Sequence, residues 1–445
     1  MKLVEVPFEI PDGWEWVNIG QIAKKIGSGS TPKGGNSVYI ENGVKFIRSQ
    51  NVHNSALVLD NIVHIPTEIH SAKLNSAVYS KDVLLNITGA SIGRSCLVPD
   101  NFDVANLNQH VMIIRLIDEE LRYFLHTTLI SNYIQLKIQD VQVGTSREGL
   151  SREKLVGFNV PLPPLNEQTK IKEKVETLFN LLNTIEQEQK ALQDLSNQLK
   201  QKVLTVAMQG KLVPQDPNDE PASVLLEKIR AEKQRLFEEG KLKKKDLEEI
   251  PVSKEDNAHY GNEKVNDDFT KLPRSWNILK LGQIVQINPR NVLNDDKEVS
   301  FIPMNLLNEG YGSGHTDEIK NWKSIKSGFT HFKENDVAFA KITPCFQNRK
   351  STIFKNLKNG YGAGTTEIFV LRPFSSIIPE YLLGYIQSGK FILEGMQNFS
   401  GAVGQQRVPR PYLEGLPFPI PPIQEQKRIV DKIESTFKII ENISS

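Results

Sequence analysis

The feature that most constrains this chain is a segment that occurs twice, about 260 residues apart. Residues 161–168 read PLPPLNEQ, and residues 419–426 read PIPPIQEQ. An earlier landmark recurs at nearly the same distance, with these matching pairs: Pro11 and Pro273, Trp14 and Trp276, Gly20 and Gly282, Gln21 and Gln283, Ile22 and Ile284. Solenoid repeats are much shorter, so a repeat of this length indicates a duplicated domain. Between the landmarks the copies share little, which is typical of one frame that holds two different recognition surfaces.

The segment after the first PLPP motif carries the clearest helical pattern. Apolar residues recur alternately four and three positions apart, which predicts a helix of about 60 Å with Asn166 at its start and Gly210 just past its end. The second copy repeats this seam over a shorter length. Two separate core helices would show the same spacing, and that alternative stays open. We predict instead that the two helices pair antiparallel as a coiled coil through Ile171, Val175, Leu178, Leu182, Ile185, Ile429, Ile433, Ile440 and Ile443.

Two variable bodies fill the repeated frame. Both contain strand-like runs bounded by Gly, Asn and Asp, together with helical patterns. We therefore predict an α+β fold, with two globular α/β bodies separated by long antiparallel coiled-coil helices and related by a pseudo-two-fold repeat. The predicted segments are the first body at 1–160, a central helical region at 161–240 with a short second helix from Ala222, a charged linker at 241–272, the second body at 273–418 and a C-terminal helical region at 419–445.

Composition and motifs exclude several classes of function. The 54 Lys and Arg against 53 Asp and Glu give a net charge of +1, so overall basicity does not mark a DNA binder. Cys96 and Cys345 are the two cysteines, which predicts neither a disulfide framework nor a zinc cluster and favours the cytoplasm. The sequence has no Walker A loop, no GxGxxG after a strand and no HExxH. We therefore predict a chain without catalysis, cofactor or metal.

Polar, glycine-containing loops carry the side-chain types that read DNA. They are residues 28–33 (SGSTPK), 88–95 (TGASIGRS) and 144–147 (GTSR) in the first body, and 401–410 (GAVGQQRVPR) in the second. Arg pairs with guanine and Gln with adenine through two hydrogen bonds, whereas Ser, Thr and Lys suit phosphates. Plain surface turns have a similar composition, and that alternative stays open. The candidate DNA-binding residues are Ser30, Thr31, Lys33, Arg94, Thr145, Ser146, Arg147, Lys341, Gln405, Gln406, Arg407 and Arg410.

Three segments together identify a family resemblance. They are residues 11–22 (PDGWEWVNIGQI), 161–171 (PLPPLNEQTKI) with its copy PIPPIQEQKRI, and 209–233 (QGKLVPQDPNDEPASVLLEKIRAEK). With these segments the whole chain resembles the specificity subunit of Type I restriction-modification systems. The resemblance implies two target-recognition domains, each of which reads one half of a bipartite, asymmetric double-stranded DNA site. It also implies that the helices set the spacer and dock two modification (methyltransferase) subunits, with restriction (motor-nuclease) subunits joining through the complex.

Two other functions stay open at this point. The first is a non-catalytic assembly scaffold, which would behave independently of DNA sequence when its partners are present. The second is a DNA methyltransferase or nuclease with unrecognised motifs, and binding of S-adenosylmethionine by the isolated chain would favour it. The expected location is cytoplasmic in every case, because no segment has the roughly 18 apolar residues that cross a bilayer.

Overall fold

The structure is a computed structural model that describes residues 8–142, 149–247, 272–402 and 404–444. Backbone contacts divide the chain into two compact units, Met1–Ile185 and Glu186–Ser445. The boundary falls inside the longest helix, Leu165–Met208, so each unit contains part of that helix. The domain boundaries predicted from the sequence stay predictions.

The first unit alternates short strands and helices. Its strands are β1 (Glu15–Asn18), β2 (Ala23–Ser28), β3 (Val44–Ile47), β4 (Val63–Ile65), β5 (Ala77–Val78), β6 (Val83–Asn86), β7 (Ser95–Leu97), β8 (Ala105–Leu107), β9 (Val111–Leu116) and β10 (Asn159–Leu162). Its helices are α1 (Ile19–Ile22), α2 (Thr67–Ala72), α3 (Arg122–Ile130), α4 (Asn132–Gln142), α5 (Arg152–Val156) and the first part of α6 (Leu165–Met208). Single 3₁₀ turns occupy Gly35–Val38, Ser49–Asn51, Leu74–Ser76 and Glu119–Leu121.

The first body has three layers: helices, a central sheet and a second sheet. The central sheet has the order β2-β9-β6-β7 and is antiparallel. Alternate residues of β9 point to opposite faces: Met112 and Ile114 pack with the helices, whereas Ile113 packs with the sheet β4-β3-β8-β5. Both faces of β6 and β9 are covered, which explains their nearly continuous apolar sequences. Outside the layers, β1 pairs antiparallel with β10 and so joins the two ends of the body.

The second unit repeats this order of elements. Its strands are β11 (Asn277–Lys280), β12 (Val285–Ile287), β13 (Glu298–Ile302), β14 (Glu318–Asn321), β15 (Thr330–Lys333), β16 (Val337–Ala340), β17 (Ser351–Ile353), β18 (Tyr361–Gly364), β19 (Ile368–Pro373) and β20 (Pro417–Ile420). Its helices are the second part of α6, α7 (Ala222–Glu238), α8 (Leu281–Ile284), α9 (Trp322–Ile325), α10 (Pro379–Gln387), α11 (Gly389–Gln397), α12 (Arg410–Gly415) and α13 (Ile423–Ser444). Single 3₁₀ turns occupy Lys244–Leu247, Met304–Leu306 and Lys358–Gly360.

The sheet topology of the two bodies is identical. The strand orders are β12-β19-β16-β17, β14-β13-β18-β15 and β11-β20, so each strand has its counterpart ten strands earlier. Even the single parallel pairing is kept, between β3 and β8 in one body and between β13 and β18 in the other. The predicted mixed fold, with two sheet-bearing bodies and a long helix between them in the chain, is confirmed.

A buried ion pair recurs at the same place in both central sheets. The Arg115 guanidinium bonds the Asp82 carboxylate at 2.7 Å in the first body, and Arg372 bonds Asp336 at 2.8 Å in the second. Each aspartate side chain is 1% exposed. Burial raises the pKa of the Asp336 carboxyl, and the hydrogen bonds from Arg372 act in the opposite direction. The pair explains why the fragment Asp-Val is one of the few strings that the two bodies share.

In each body, two glutamines of the repeated landmarks bind the backbone, one near the start of the body and one near its end. At the opening, Gln21 Oε1 accepts a hydrogen bond from Asn18 N at 2.7 Å, and Gln283 repeats the contact with Lys280 N at 3.0 Å. At the closing end, Gln168 Nε2 donates to the Pro163 carbonyl at 2.8 Å. Gln426 Nε2 donates in the same way to the Pro421 carbonyl at 3.1 Å. The landmarks therefore maintain the frame.

The seam of α6 is largely uncovered in the first unit. Ile171 and Val175 are half-buried, whereas Leu178, Leu182 and Ile185 are 48%, 52% and 42% exposed. The helix itself, predicted from Asn166 to Gly210, has the expected extent. Pairing of these residues with a second helix stays a prediction.

In the second unit, α13 packs antiparallel to the end of α6. Lys200 Nζ bonds Glu441 at 2.8 Å, whereas Asp219, farther along the chain, pairs with Arg428 at 2.6 Å. The seam residues Ile429, Ile433 and Ile440 are buried in one cluster with α6 residues near Leu204 and with Leu225, Leu226 and Ile229 of α7. By contrast, Ile443 is 66% exposed. The short helix α7 is thus part of the second unit's core.

Candidate nucleic-acid interface

Three loops of the first body meet at one edge of its central sheet. One loop follows β2, one follows β6, and one joins β8 to β9. They meet because β9 lies between β2 and β6, and the antiparallel order brings the end of each outer strand beside the start of β9. The loops after β2 and β6 are two of the segments predicted to bind DNA. We name this surface the first sheet edge, defined by residues 29–33, 87–94 and 108–110.

Direct contacts hold the first sheet edge together. Lys73 Nζ donates to Ser30 Oγ at 2.5 Å, and Thr31 N donates to Gln109 Oε1 at 3.3 Å. The loop passes so close to β8 that a Cβ on Gly29 would lie 1.8 Å from the Leu107 carbonyl oxygen, so only glycine fits there. Lys33 is exposed. Two predicted residues, Ser30 and Thr31, are therefore held in defined positions.

The loop after β6 adds an exposed arginine to the same edge. The Thr88 hydroxyl and His110 Nδ1 lie 2.5 Å apart. The loop is closed by Asn86 N, which donates to the Arg94 carbonyl at 2.8 Å and leaves the Arg94 side chain exposed. Thr145, Ser146 and Arg147 lie outside the described residues. Just after them, Leu150 N donates to the Ile87 carbonyl at 2.8 Å.

Arg48, which is not among the residues predicted from the sequence, follows β3 beside this edge. Its guanidinium carbon lies 5.9 Å from the centre of the Tyr39 ring, and its Nε is buried without a hydrogen-bond partner among the described residues. Asn86 Nδ2 donates to the Ser49 carbonyl at 2.8 Å, which ties the loop after β3 to the loop after β6. A signal was available in the sequence, because Arg48 directly follows the strand-like run Val44–Ile47.

The corresponding edge of the second body has the same backbone contacts. Lys341 N donates to the Glu367 carbonyl at 2.9 Å. In the first body, Ile87 N donates to the His110 carbonyl at 3.0 Å. Val408 N donates to the Lys341 carbonyl at 3.0 Å, as Leu150 N does to that of Ile87. The predicted equivalence of the GTSR and GAVGQQRVPR loops is therefore supported at their C-terminal ends. We name residues 341–343, 365–367 and 404–407 the second sheet edge.

The side chains at the second sheet edge differ from those at the first. The Arg407 guanidinium forms two hydrogen bonds with the Glu367 carboxylate, at 2.8 and 3.1 Å. These bonds lower the pKa of the Glu367 carboxyl and raise the pKa of Arg407. Lys341 Nζ lies 5.3 Å from the centre of the Phe369 ring. Gln405 is exposed and Gln406 is partly exposed beside them.

Arg410 lies on a different element from the other candidates. It is the first residue of α12, and its Nε bonds Glu414 Oε1 at 2.7 Å on the same helix.

Within the described parts of the chain, no group of three His, Cys, Asp or Glu residues could hold a metal ion. The same residues include no helix that is both long enough and apolar enough to cross a bilayer.

Comparison with known proteins identifies the family. Residues 11–194 and 273–444 match the family described as Type I restriction modification DNA specificity domain. The Type I restriction enzyme EcoAI and EcoEI specificity subunits of Escherichia coli are 44% and 45% identical to this chain over 247 and 235 residues. These matches cover 55% and 52% of this chain, and 40% and 37% of the relatives. The matched part thus spans about two fifths of each relative's length.

Two solved structures share the fold over nearly the whole chain. One, described as the structural basis of complex assembly and conformational transition of the type I R-M system, has a TM-score of 0.63 at 17% identity and covers 98% of this chain and 93% of the other. The crystal structure of the HsdS subunit from Thermoanaerobacter tengcongensis has a TM-score of 0.52 at 18% identity and covers 99% and 93%. At these identities the likeness shows the fold alone. Since the family match covers most of the chain in two copies, the protein belongs to the Type I restriction-modification DNA specificity family.

Proposed function

We propose that this chain is the DNA-binding specificity subunit of a Type I restriction-modification complex. Each body reads one half of a bipartite, asymmetric site on double-stranded DNA, and the chain itself catalyses no reaction. The observation that carries the proposal is the pair of sheet edges, which have equivalent backbone contacts but different side chains. A duplicated frame that keeps its hydrogen bonds and changes its exposed groups suits two surfaces that recognise two different sequences.

The chemistry of the two edges supports contact with DNA. Hydroxyl and ammonium groups suit phosphates, and amide and guanidinium groups suit base edges in the major groove. In the first body we assign DNA contact to Ser30, Thr31, Lys33, Arg94, Thr145, Ser146 and Arg147, and we add Arg48. In the second body we assign it to Lys341, Gln405, Gln406, Arg407 and Arg410. The net charge of +1 implies that partner subunits supply further positive surface around the DNA.

The uncovered seam of α6 supports docking of partner subunits. Leu178, Leu182 and Ile185 are too exposed for a helix that functions alone in water. We assign this face to the two modification (methyltransferase) subunits, through which the restriction (motor-nuclease) subunits join the complex. A complex that acts on chromosomal DNA works in the cytoplasm.

Replacement of one body tests the proposal. The variant carries residues 14–160 of a relative with a different target, joined within the β1–β10 frame, and is assembled with the modification subunits. Methylation mapping is expected to show one half of the target changed and the other half retained. The reciprocal replacement of residues 276–417 is the control and should change the other half. If either replacement alters both halves, or if the wild-type complex methylates DNA without sequence preference, the proposal is wrong.

A further inference from the structure

The second sheet edge contains a short segment, Gly404–Arg407, whose backbone is fixed on both sides. Ser400 and Arg407 exchange two backbone hydrogen bonds, at 3.0 and 2.9 Å. On the other side, Thr343 N donates to the Gln406 carbonyl at 3.0 Å. Gln405 N donates to the Ala402 carbonyl at 3.0 Å and closes a turn. The segment is therefore a rigid support for the side chains it carries.

The guanidinium of Arg407 uses three of its five N–H donors inside the protein. Its Nε and Nη2 bond the two oxygens of Glu367 at 2.8 and 3.1 Å, and its Nη1 donates to the Gln405 carbonyl at 2.8 Å. Reading a guanine requires two parallel N–H donors of one guanidinium. One such pair of donors, on Nε and Nη2, is occupied here by a carboxylate, which is a stronger acceptor than a base. Arg407 is thus placed to hold the segment.

The two glutamines of the segment are in the opposite situation. Gln405 is exposed and Gln406 is partly exposed, and neither side-chain amide has a hydrogen-bond partner among the described residues. A primary amide can donate and accept at once, which matches the N6 and N7 atoms of adenine in the major groove. Because the backbone is already fixed, binding through these amides orders only the two side chains and no further backbone.

We infer that Gln405 and Gln406 read adenine in the half-site of the second body, and that Arg407, held by Glu367, is their positioning residue. This inference rests on the proposed function, and it assigns a base and a division of roles that the function alone does not require. The half-site read by the second body therefore includes at least one A·T pair whose recognition depends on these amides.

The amides are tested in the assembled complex with its modification subunits. Its binding to a DNA library randomised over the half-site of the second body is measured for Gln405→Ala, Gln406→Ala and the double variant. The double variant is expected to lose discrimination for adenine at one or two positions by about tenfold or more, with the other half-site unchanged. Gln234→Ala, which removes an exposed amide on α7, is the control and should bind like the wild type.

The positioning role is tested with two further variants. Arg407→Lys keeps a charge beside Glu367 but cannot form two parallel bonds to guanine, and it is expected to keep the adenine preference. Glu367→Gln removes the ion pair and is expected to weaken that preference. The exchange Glu367→Arg with Arg407→Glu restores an ion pair of opposite orientation and is expected to restore the preference.

Three outcomes overturn the inference while the proposed function stands. They are an unchanged adenine preference in the double glutamine variant, a lost preference for a base other than adenine, and a lost guanine preference in Arg407→Lys. A wild-type complex with no preference in either half-site would instead contradict the proposed function. The two failures are therefore distinguishable in one set of measurements.

Discussion

At the residue scale, the buried ion pairs show how little sequence the two bodies need in common. Asp82 and Asp336 occupy the same position, and each pairs with an arginine of the neighbouring strand. Each aspartate also accepts a backbone hydrogen bond from three residues earlier, from Tyr79 N and Lys333 N at 2.9 and 2.8 Å. A short shared string can therefore mark an essential contact even where the surrounding sequence has diverged.

Removal of one partner of this pair is expected to be costly. Asp336→Ala leaves the Arg372 guanidinium, 15% exposed, without its carboxylate, so we expect a loss of about 3–5 kcal/mol in the free energy of unfolding. The matched control is Glu318→Ala, whose partner Lys320 is exposed, with an expected change below about 1 kcal/mol. Urea unfolding of the full chain measures both. Similar losses in the two variants would contradict this prediction.

The residue scale is also where prediction from the sequence reached its limit. Residue types suggested Arg407 as a base reader, but nothing in the sequence connects it to Glu367, forty positions earlier. Arg48 was missed because its importance depends on where β3 ends relative to β6. Loops could be recognised by their glycines and polar residues, whereas the partners of each side chain depend on the tertiary fold.

At the element scale, periodicity predicted the helices and part of their packing. The long helix was predicted within a few residues of its observed bounds, and α7 begins at Ala222 as predicted. The helical patterns of the two bodies proved to be pairs of helices, with α3 and α4 separated at Ser131 and α10 and α11 separated at Ser388. The heptad seam identified the apolar face of α6, and the C-terminal helix predicted to pair with it, α13, packs antiparallel to the end of α6 in the second unit. Spacing alone carries no information about how far along the seam a partner extends.

Two seam positions are expected to respond differently to truncation. Ile433 is fully buried on α13, so Ile433→Ala should cost about 2–5 kcal/mol in the free energy of unfolding. Leu178 is 48% exposed on α6, so Leu178→Ala should cost less than about 1 kcal/mol in the chain alone. Thermal unfolding of the isolated chain measures both variants. A large loss for Leu178→Ala would show that the first part of the seam is covered within the chain.

At the scale of the whole molecule, the duplication allowed the architecture to be predicted from the sequence. Landmarks such as Trp14 and Trp276 fixed the start of each copy, and the PxPP segments fixed the end. What lies between could be assigned only as mixed strands and helices. The identity of the two sheet topologies could not be predicted from the sequence. The two bodies share a pattern of buried positions but few identical residues, so their sequences do not align.

The family resemblance implies that the helices set the spacer, and for α6 this gives a prediction about target spacing. Insertion of seven residues at Gln189 adds about 10 Å of helix and keeps the heptad seam in register. Methylation mapping of the assembled complex should show both half-sequences retained and a spacer longer by up to about three base pairs. A two-residue insertion is the control and should impair assembly, because it rotates the seam. A stable heptad variant that keeps the original spacing would exclude a spacer role for α6.

The strand pair that closes each body also has a consequence for biosynthesis. Glu15 pairs with Leu162, so β1 leaves the ribosome roughly 7–30 s before its partner strand exists, at about 5–20 residues per second. The first body can then close while the second is still being translated. The core of the second unit includes α13, so it closes only when the last helix has been made. Until then Leu204 and Met208 of α6, made more than two hundred residues before Ile440 of the same cluster, lack the part of their packing that α13 supplies.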